Sequence, residues 1–584
     1  MTELRQATLA SDPVTLQIVA NALQSIADEM ATTITRTAHS TVVRDGMDFS
    51  SALVDAEGET IAQAVSVPFH LGSIPTAMAS LIGRHGDRVR PGDVFIMNDP
   101  FDGGMHLQDI FVVKPVHHDD ALIGWAVTTA HHGDVGGRLP GSSACDNTEI
   151  FQEGLRMPWL RLYAAGEPVE EVHALIEANM RIPRMTFGDL GAQVAACSVA
   201  ERALQALAKR HGREALAQLT AELIDYTERL VRQEILTWPD GSATFTDYLG
   251  SDGIDVCDVP ITATVTIAGD EVTADLRESA PMVRGSLNST RSFVLACVYH
   301  VVRCALTLEV PNTAGAFRPV RVLTKPGTVT EVVMPAASSM RGVTGFRVVD
   351  ALNGALAQLI PDRVPAAGEG GNTLAIFGAD RPGEGDRYVF YELIVGTWGG
   401  TPTWDGNDGL TNPASLAANI PVEVAESEFP IVVERYGLVP DTGGAGEHRG
   451  GLAIERVWRC LTPGTSLIVR SDRARRPPYG LRGGEHGAGS SNLLVRPDGT
   501  ETTLPPMFSI TIEAGDVYVH RTAGGGGWGD PFVRDSDAVA ADVANEKLSV
   551  DAARDRYGVV VRHDGTVDAA ATAALRDERR GACA

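Results

Sequence analysis

The chain has 584 residues, 44% hydrophobic and 21% charged, the proportions of a folded globular protein, and at roughly 150 residues per domain it is long enough for about three or four domains. Lys plus Arg number 49 against 75 Asp plus Glu, a net charge of −26 with no long basic run, which excludes nucleic acid as the expected partner. No apolar run reaches the roughly 20 residues that span a bilayer, and the N-terminal MTELRQATLASDP lacks the apolar centre of a signal peptide. The seven scattered cysteines (Cys145, Cys197, Cys257, Cys297, Cys304, Cys460 and Cys583) have no C-x-x-C spacing, so reduced thiols in a cytoplasmic protein are expected.

Asp12 followed by Pro13 reads as an N-cap and first-turn proline, and Leu16, Val19, Leu23, Ile26, Met30 and Ile34 recur at helical spacing, which predicts one long amphipathic helix. From Val42 to about His131 the pattern shortens to apolar runs between turns. These predict strands, the last two forming a hairpin around Asp119 and Asp120. Helical periodicity returns over 168–236. Beyond it Ile261, Ala263, Val265 and Ile267 alternate as a strand, as do Val272, Ala274 and Leu276 after a turn, and TRSFVLACVYHVVRCALT predicts a helix. Short strands and turns dominate from about 396 to 530, and an Ala- and Asp-rich helical appendage follows Pro531. The expected fold class is α+β: mixed, multi-domain and strand-rich, with helical N-terminal and middle segments. Its expected divisions are 1–240, 241–395, 396–535 and 536–584.

The stretch NDPFDGGMHLQDI, 98–110, leaves an apolar strand and enters a Gly-rich turn with three aspartates and a histidine. Partners in an antiparallel hairpin have a constant sum of residue numbers. A turn at Asp119 and Asp120 makes that sum about 239 or 240, which sets His131 and His132 opposite positions 107 to 109. His106, Asp109 and a histidine of the pair 131/132 then converge from strand ends. Imidazole and carboxylate donors suit Zn²⁺, and also Mn²⁺ or Fe²⁺. Adjacent histidines point to opposite faces, so a one-residue change of register swaps them, and spacing leaves the choice open.

Three other stretches stand out. AGGGGWGDP, 523–531, lacks the Lys and Ser/Thr of a P-loop and reads as a turn with close backbone packing. TWGGTPTWDGNDGLTNP, 397–413, is a polar loop with two tryptophans, at the surface or lining a channel. The basic RSDRARRPPYGLRGG, 470–484, is expected to be solvated or paired with nearby acids, the other reading being contact with an anionic substrate or a partner.

RDGMDFSSALVDAEGETIAQ, NDPFDGGMHLQDI, AHHGDVGGRLPGS, GDLGAQVAA, ERYGLVPDTGGAGEHRGGLAIER and AGGGGWGDP together resemble, in that order, the hydantoinase B family, over about Asp12 to Tyr557. The resemblance implies a metal site at Asp48, His106, Asp109 and His131, with His132 and Asp134 beside it as hydrogen-bonding partners or proton carriers. It also implies a heteromeric enzyme in which ATP, with Mg²⁺, is used by an A subunit of actin-like fold that phosphorylates a cyclic amide. This chain would then hydrolyse the activated amide. The alternatives are a subunit of a ketone carboxylase of the acetone or acetophenone type, or a non-catalytic scaffold for the A subunit.

Overall fold

The computed structural model of the chain describes residues 11–370, 373–381 and 387–583, with side chains up to residue 579. Most of the N-terminal stretch that was read for a signal peptide, and the Cys583 side chain, lie outside the described part. The other six cysteines are unbridged thiols. Among the described residues no helix is long and apolar enough to cross a membrane.

The helix Pro13–Thr37 starts where the sequence sets it. Asp12 caps it by accepting from the Thr15 amide at 3.0 Å, and Leu16, Val19, Leu23, Ile26, Met30 and Ile34 are buried along one stripe. It packs with the helix Pro183–His211 on one face of a seven-stranded sheet. That sheet comprises β1 (Phe49–Val54), β2 (Thr60–Gln63), β3 (Val94–Met97), β4 (Asp109–His118), β5 (Ala121–His131), β6 (Leu160–Ala164) and β7 (Glu167–Pro168), in the order β2-β1-β5-β4-β3-β6-β7. Both faces are covered, so β1, β4 and β5 read as near-continuous apolar runs. Ile110 and Val112 enter the core under the two helices, whereas Phe111 and Val113 enter a second core on the opposite face.

The hairpin β4–β5 turns at Asp119 and Asp120, both left-handed with φ of 48° and 61°, as a two-residue turn requires. Its register places Asp109 opposite His131, a sum of 240, with a bulge near the turn between Val116 and His117.

The second core joins this sheet to a four-stranded one made of β8 (Gly241–Leu249), β9 (Val259–Ala268), β10 (Glu271–Asp275) and β11 (Val320–Leu323), through the helices Arg291–Ala305 and Arg341–Leu356. In β9 and β10 the side chains of Ile261, Ala263, Val265, Ile267, Val272 and Ala274 point inward as the alternation requires. Two of the longer helices escape the sequence reading. Ile74–His85 lies within a stretch read as strands and turns. In Arg341–Leu356 every residue but Asn353 is buried, so the helix has no solvent-facing side, and its polar residues Arg341, Thr344, Arg347 and Asp350 are buried with the apolar ones.

Two more sheets follow. One pairs the strands Thr373–Asp380, Arg387–Ile394, Thr465–Arg470 and Met507–Ile512, so it draws on both sides of the division expected at 395. The other has five strands, between Ile431 and Arg521. The C-terminal helices Ser536–Ala544, Val550–Tyr557 and Ala569–Cys583 follow as a small unit, the first two sharing a core of their own around Tyr557 and Val559.

The glycine stretch is not a turn over its first four glycines. Gly524 to Gly527 form an extended rod whose amides donate in succession to Ala488, Gly451, Ala367 and Glu485 carbonyls at 2.9–3.0 Å. The direction of the bond returns to the 485–488 segment after three residues, the threefold repeat of a polyproline-II-like helix. A Cβ on any of the four would lie 1.9–2.1 Å from a neighbouring carbonyl oxygen, so glycine is required for close approach of backbones and not for its φ.

Candidate metal centre

The row of candidate side chains follows from the pleat. Asp109 on β4 faces His131 on β5, and the His131 amide donates to the carbonyl of Asp48 at 2.9 Å just ahead of β1. Directly opposed residues share a face, so Asp48, His131 and Asp109 stand in line across three neighbouring strands. His106 enters from the turn before β4, which closes where the Asp109 amide donates to the His106 carbonyl at 3.1 Å. Asp99 and Asp102 shape the turn instead: Asp99 accepts from the Phe101 amide at 3.0 Å, and Asp102 pairs with Arg84 at 2.8 Å.

His106 Nε2 lies 3.0 Å from Asp109 Oδ1, His131 Nδ1 lies 3.3 Å from the same oxygen, and the two ring nitrogens are 3.2 Å apart. His70, which the sequence reading passed over, points Nε2 at Asp48 Oδ1 (3.5 Å) and Asp109 Oδ1 (3.7 Å), with Nδ1 3.3 Å from the Ser50 hydroxyl. It sits on the one-turn helix Pro68–Leu71, and no motif marks it. The cavity over these groups is lined by Asp48, His70, His106, Asp109, His131, Arg341 and Arg470 among others.

Burial disfavours the charged form of His106 and His70. His106 is pulled down to about 3 by burial and then by the neighbouring Arg341 charge, and His70 is lowered by burial too. The His106 Nδ1–H donates to the Ser339 carbonyl at 3.0 Å, which fixes the tautomer and leaves the Nε2 lone pair facing His131 and Asp109. Asp109 is fully buried. Burial opposes its charge, but the Arg341 guanidinium, hydrogen-bonded to Oδ2, holds the carboxyl well below its usual range.

A divalent ion fits this donor set. A ring nitrogen of His106, one of His131 and a carboxylate oxygen of Asp109 all lie within 4.8 Å of one another. Their spacings of 3.0–3.3 Å match those of ligand atoms held at roughly 2.1 Å from one centre.

His132 and Asp134 do not line the cavity. The pleat turns His132 to the other face of the sheet, where Nε2 lies 3.1 Å from the Gln193 amide oxygen on the helix Pro183–His211. Asp134 accepts from the Gly136 and Gly141 amides and from Arg181, each at 2.9 Å, and organises the 136–141 loop. Of the basic stretch 470–484, Arg470 reaches the cavity, while Arg473 is buried against Asp247 and Asp350 at 2.7 Å each.

The scaffold and the buried His/Asp cluster define a mixed α/β protein with an enzyme-type centre. The chain belongs to the hydantoinase B/oxoprolinase family, whose profile matches residues 12–531. It is 34% identical to the caprolactamase subunit beta of Pseudomonas jessenii over 97% of this chain and 99% of that one. The crystal structure of the ATP-dependent caprolactamase from that organism superposes with a TM-score of 0.91 at 32% identity, covering 97% of this chain and 100% of the matched one. The nucleotide-free structure of acetone carboxylase shares the fold at a TM-score of 0.91 and 19% identity, over 98% of this chain and 84% of that chain.

Proposed function

We propose that the chain is the metal-dependent B subunit of an ATP-dependent cyclic-amide hydrolase, acting on an amide that a partner A subunit has activated by phosphorylation. The observation that carries it is the convergence of His106, Asp109 and His131 in a chain 34% identical, nearly end to end, to a caprolactamase subunit beta. The A subunit, of actin-like fold in this reading, would use the ATP and Mg²⁺.

We assign His106, Asp109 and His131 as ligands, with Asp48 completing the set and Zn²⁺ the first choice ahead of Mn²⁺ or Fe²⁺. When bound, such an ion supplies Lewis acidity, making hydroxide available near neutral pH. The chain's own groups do the rest. Ser339 orients His106, Arg341 keeps Asp109 ionised, and Arg341 and Arg470 place positive charge where an oxyanion develops. We assign proton transfer to His70 on the cavity wall, whose neutral imidazole would take a proton from the attacking water and pass it to the departing nitrogen, rather than to His132 or Asp134, which we take as supports of the strand end and its loop.

The test is metal analysis together with turnover by the assembled enzyme. Purified chain should carry stoichiometric divalent metal; Asp48→Ala and His106→Ala should lose it, and with the partner and ATP their turnover should fall by at least about 100-fold. Metal-free wild-type protein, with both variants fully active, would refute the assignment. The fold shared with acetone carboxylase favours one second reading, a ketone carboxylase subunit. Turnover of ketone plus bicarbonate, and none of lactam plus water, would establish that reading instead.

A further inference from the structure

The two-tryptophan loop 397–413 walls a pocket of about 420 Å³ that shares no lining residue with the His/Asp cavity. Two helices complete it. His300, Val301, Cys304 and Ala305 face it from one side of the helix Arg291–Ala305, and Val349, Asn353 and Leu356 from the helix Arg341–Leu356. The volume is that of a small-molecule site, and most of the wall is aliphatic or aromatic.

Asn353 is the one residue of its helix that is not buried, and it lines this pocket. Its carboxamide makes no hydrogen bond among the described residues, whereas Asn412, the other amide of the wall, already accepts from the Ala414 amide at 2.9 Å. A free carboxamide presents an N–H donor beside a C=O acceptor. The charged groups are engaged or at the edge: Asp350 pairs with Arg347 at 3.0 Å and Arg473 at 2.7 Å, Arg363 pairs with Glu234 at 2.6 Å, and Asp362 is exposed. Burial lowers the His300 imidazole to about 4, so it meets a ligand uncharged at neutral pH. No free cation or anion inside selects a charged ligand, so the wall suits a neutral one.

The aromatic side is held ready. Trp398 donates its indole N–H to the Thr411 carbonyl. Trp404 is 57% exposed, yet its backbone is fixed: its amide donates to the Thr401 hydroxyl at 2.9 Å, and its carbonyl accepts from the Thr401 amide at 3.0 Å. An exposed indole on a fixed turn beside an apolar pocket offers a ligand contact area at little cost in ordering.

We propose that this pocket binds a neutral, saturated ring compound by a cis-amide edge, whose N–H and C=O pair with the Asn353 carboxamide while its methylenes lie against Trp398, Trp404 and the aliphatic wall. A small ring holds its amide cis, with donor and acceptor side by side. An open-chain secondary amide is overwhelmingly trans and presents them on opposite sides. This is a second site, apart from the cluster, and it stands without the hydrolase reading.

Cys304, an exposed thiol on the wall, reports occupancy. The purified chain is treated with methyl methanethiolsulfonate, and modification at Cys304 is followed by peptide mass spectrometry with Cys257, outside the pocket, as reference. Caprolactam should slow modification of Cys304 and not of Cys257. N-methylcaprolactam, which lacks the N–H, should need about 10-fold more ligand for the same protection, and open-chain N-butylacetamide more still. The nearly isosteric Asn353→Leu should lose the distinction between caprolactam and its N-methyl derivative. Trp404→Ala, at the surface where folding does not depend on it, should weaken both by about 3- to 10-fold.

Protein stripped of metal should show the same protection, whatever the cluster catalyses. No protection by caprolactam, equal protection by N-methylcaprolactam, or tighter protection by uracil, which sets the same edge on a flat polar ring, would each overturn the proposal. Protection that vanishes on stripping the metal would overturn it too, by placing the ligand at the cluster.

Discussion

At the residue scale the centre depends on groups that touch no ligand. Glu153 is fully buried, and one of its carboxyl oxygens accepts from the Ser338 and Ser339 amides at 2.8 and 2.7 Å, holding the turn whose Ser339 carbonyl orients His106. Burial pushes Glu153 up to about 8, against an ordinary 4.5. Between those values the folded chain keeps a proton that the unfolded chain has released, so stability falls as pH rises through that window and the loss is complete above about 8. Glu153→Gln keeps the acceptor and cannot ionise. Its melting temperature should therefore exceed the wild-type value increasingly from about pH 5 to about pH 9, and the two should converge at lower pH. Parallel melting curves across that range would refute this. Neither Glu153 nor Arg341 was legible in the sequence, because each meets the site from a segment far along the chain and carries no local pattern.

At the scale of elements, the hairpin was the most legible part. Two aspartates that tolerate left-handed φ set the turn, the turn sets the register, and the register sets Asp109 opposite His131. The choice between His131 and His132, open to spacing, is made by the pleat: the residue directly opposite Asp109 shares its face, and the next one turns to Gln193. The glycine rod was only half legible. Its sequence announced close packing, but the partners of Gly524 to Gly527 come from several separate segments that no periodicity links. Gly525→Ala would place a Cβ 2.0 Å from the Trp398 carbonyl oxygen, with no side chain to move aside, and should destabilise the chain by about 3 kcal/mol or more. Gly437→Ala, where a Cβ meets nothing within 4 Å, should be near neutral in the same thermal melt. Equal melting temperatures for the two variants would show that the rod tolerates side chains.

At the scale of the molecule the site is a seam. The first sheet supplies Asp48, Asp109 and His131, the short helix after β2 supplies His70, the buried helix Arg341–Leu356 supplies Arg341, and the strand Thr465–Arg470 supplies Arg470. An ion bound there stabilises every segment that closes over it. At a free concentration about a hundredfold above Kd it adds roughly 2.7 kcal/mol to the folded state. Reloading stripped protein with Zn²⁺ or Mn²⁺ should thus raise the melting temperature of wild type and leave His106→Ala unmoved; a shift of equal size in both would place the bound ion elsewhere.

The sequence by itself determined the local structure: the capped N-terminal helix, the alternating strands β9 and β10, the hairpin and its turn, and the motif series that marks the family. Each rests on contacts between residues near in sequence or on a period of two or 3.6, which composition and spacing record directly. Only the tertiary structure decided which face His131 and His132 take, that His70 and Arg341 join the cluster, and that four glycines form a rod. Those outcomes depend on what packs across the sheet from distant segments, and burial, which sets both charge state and access, exists only once those segments have met.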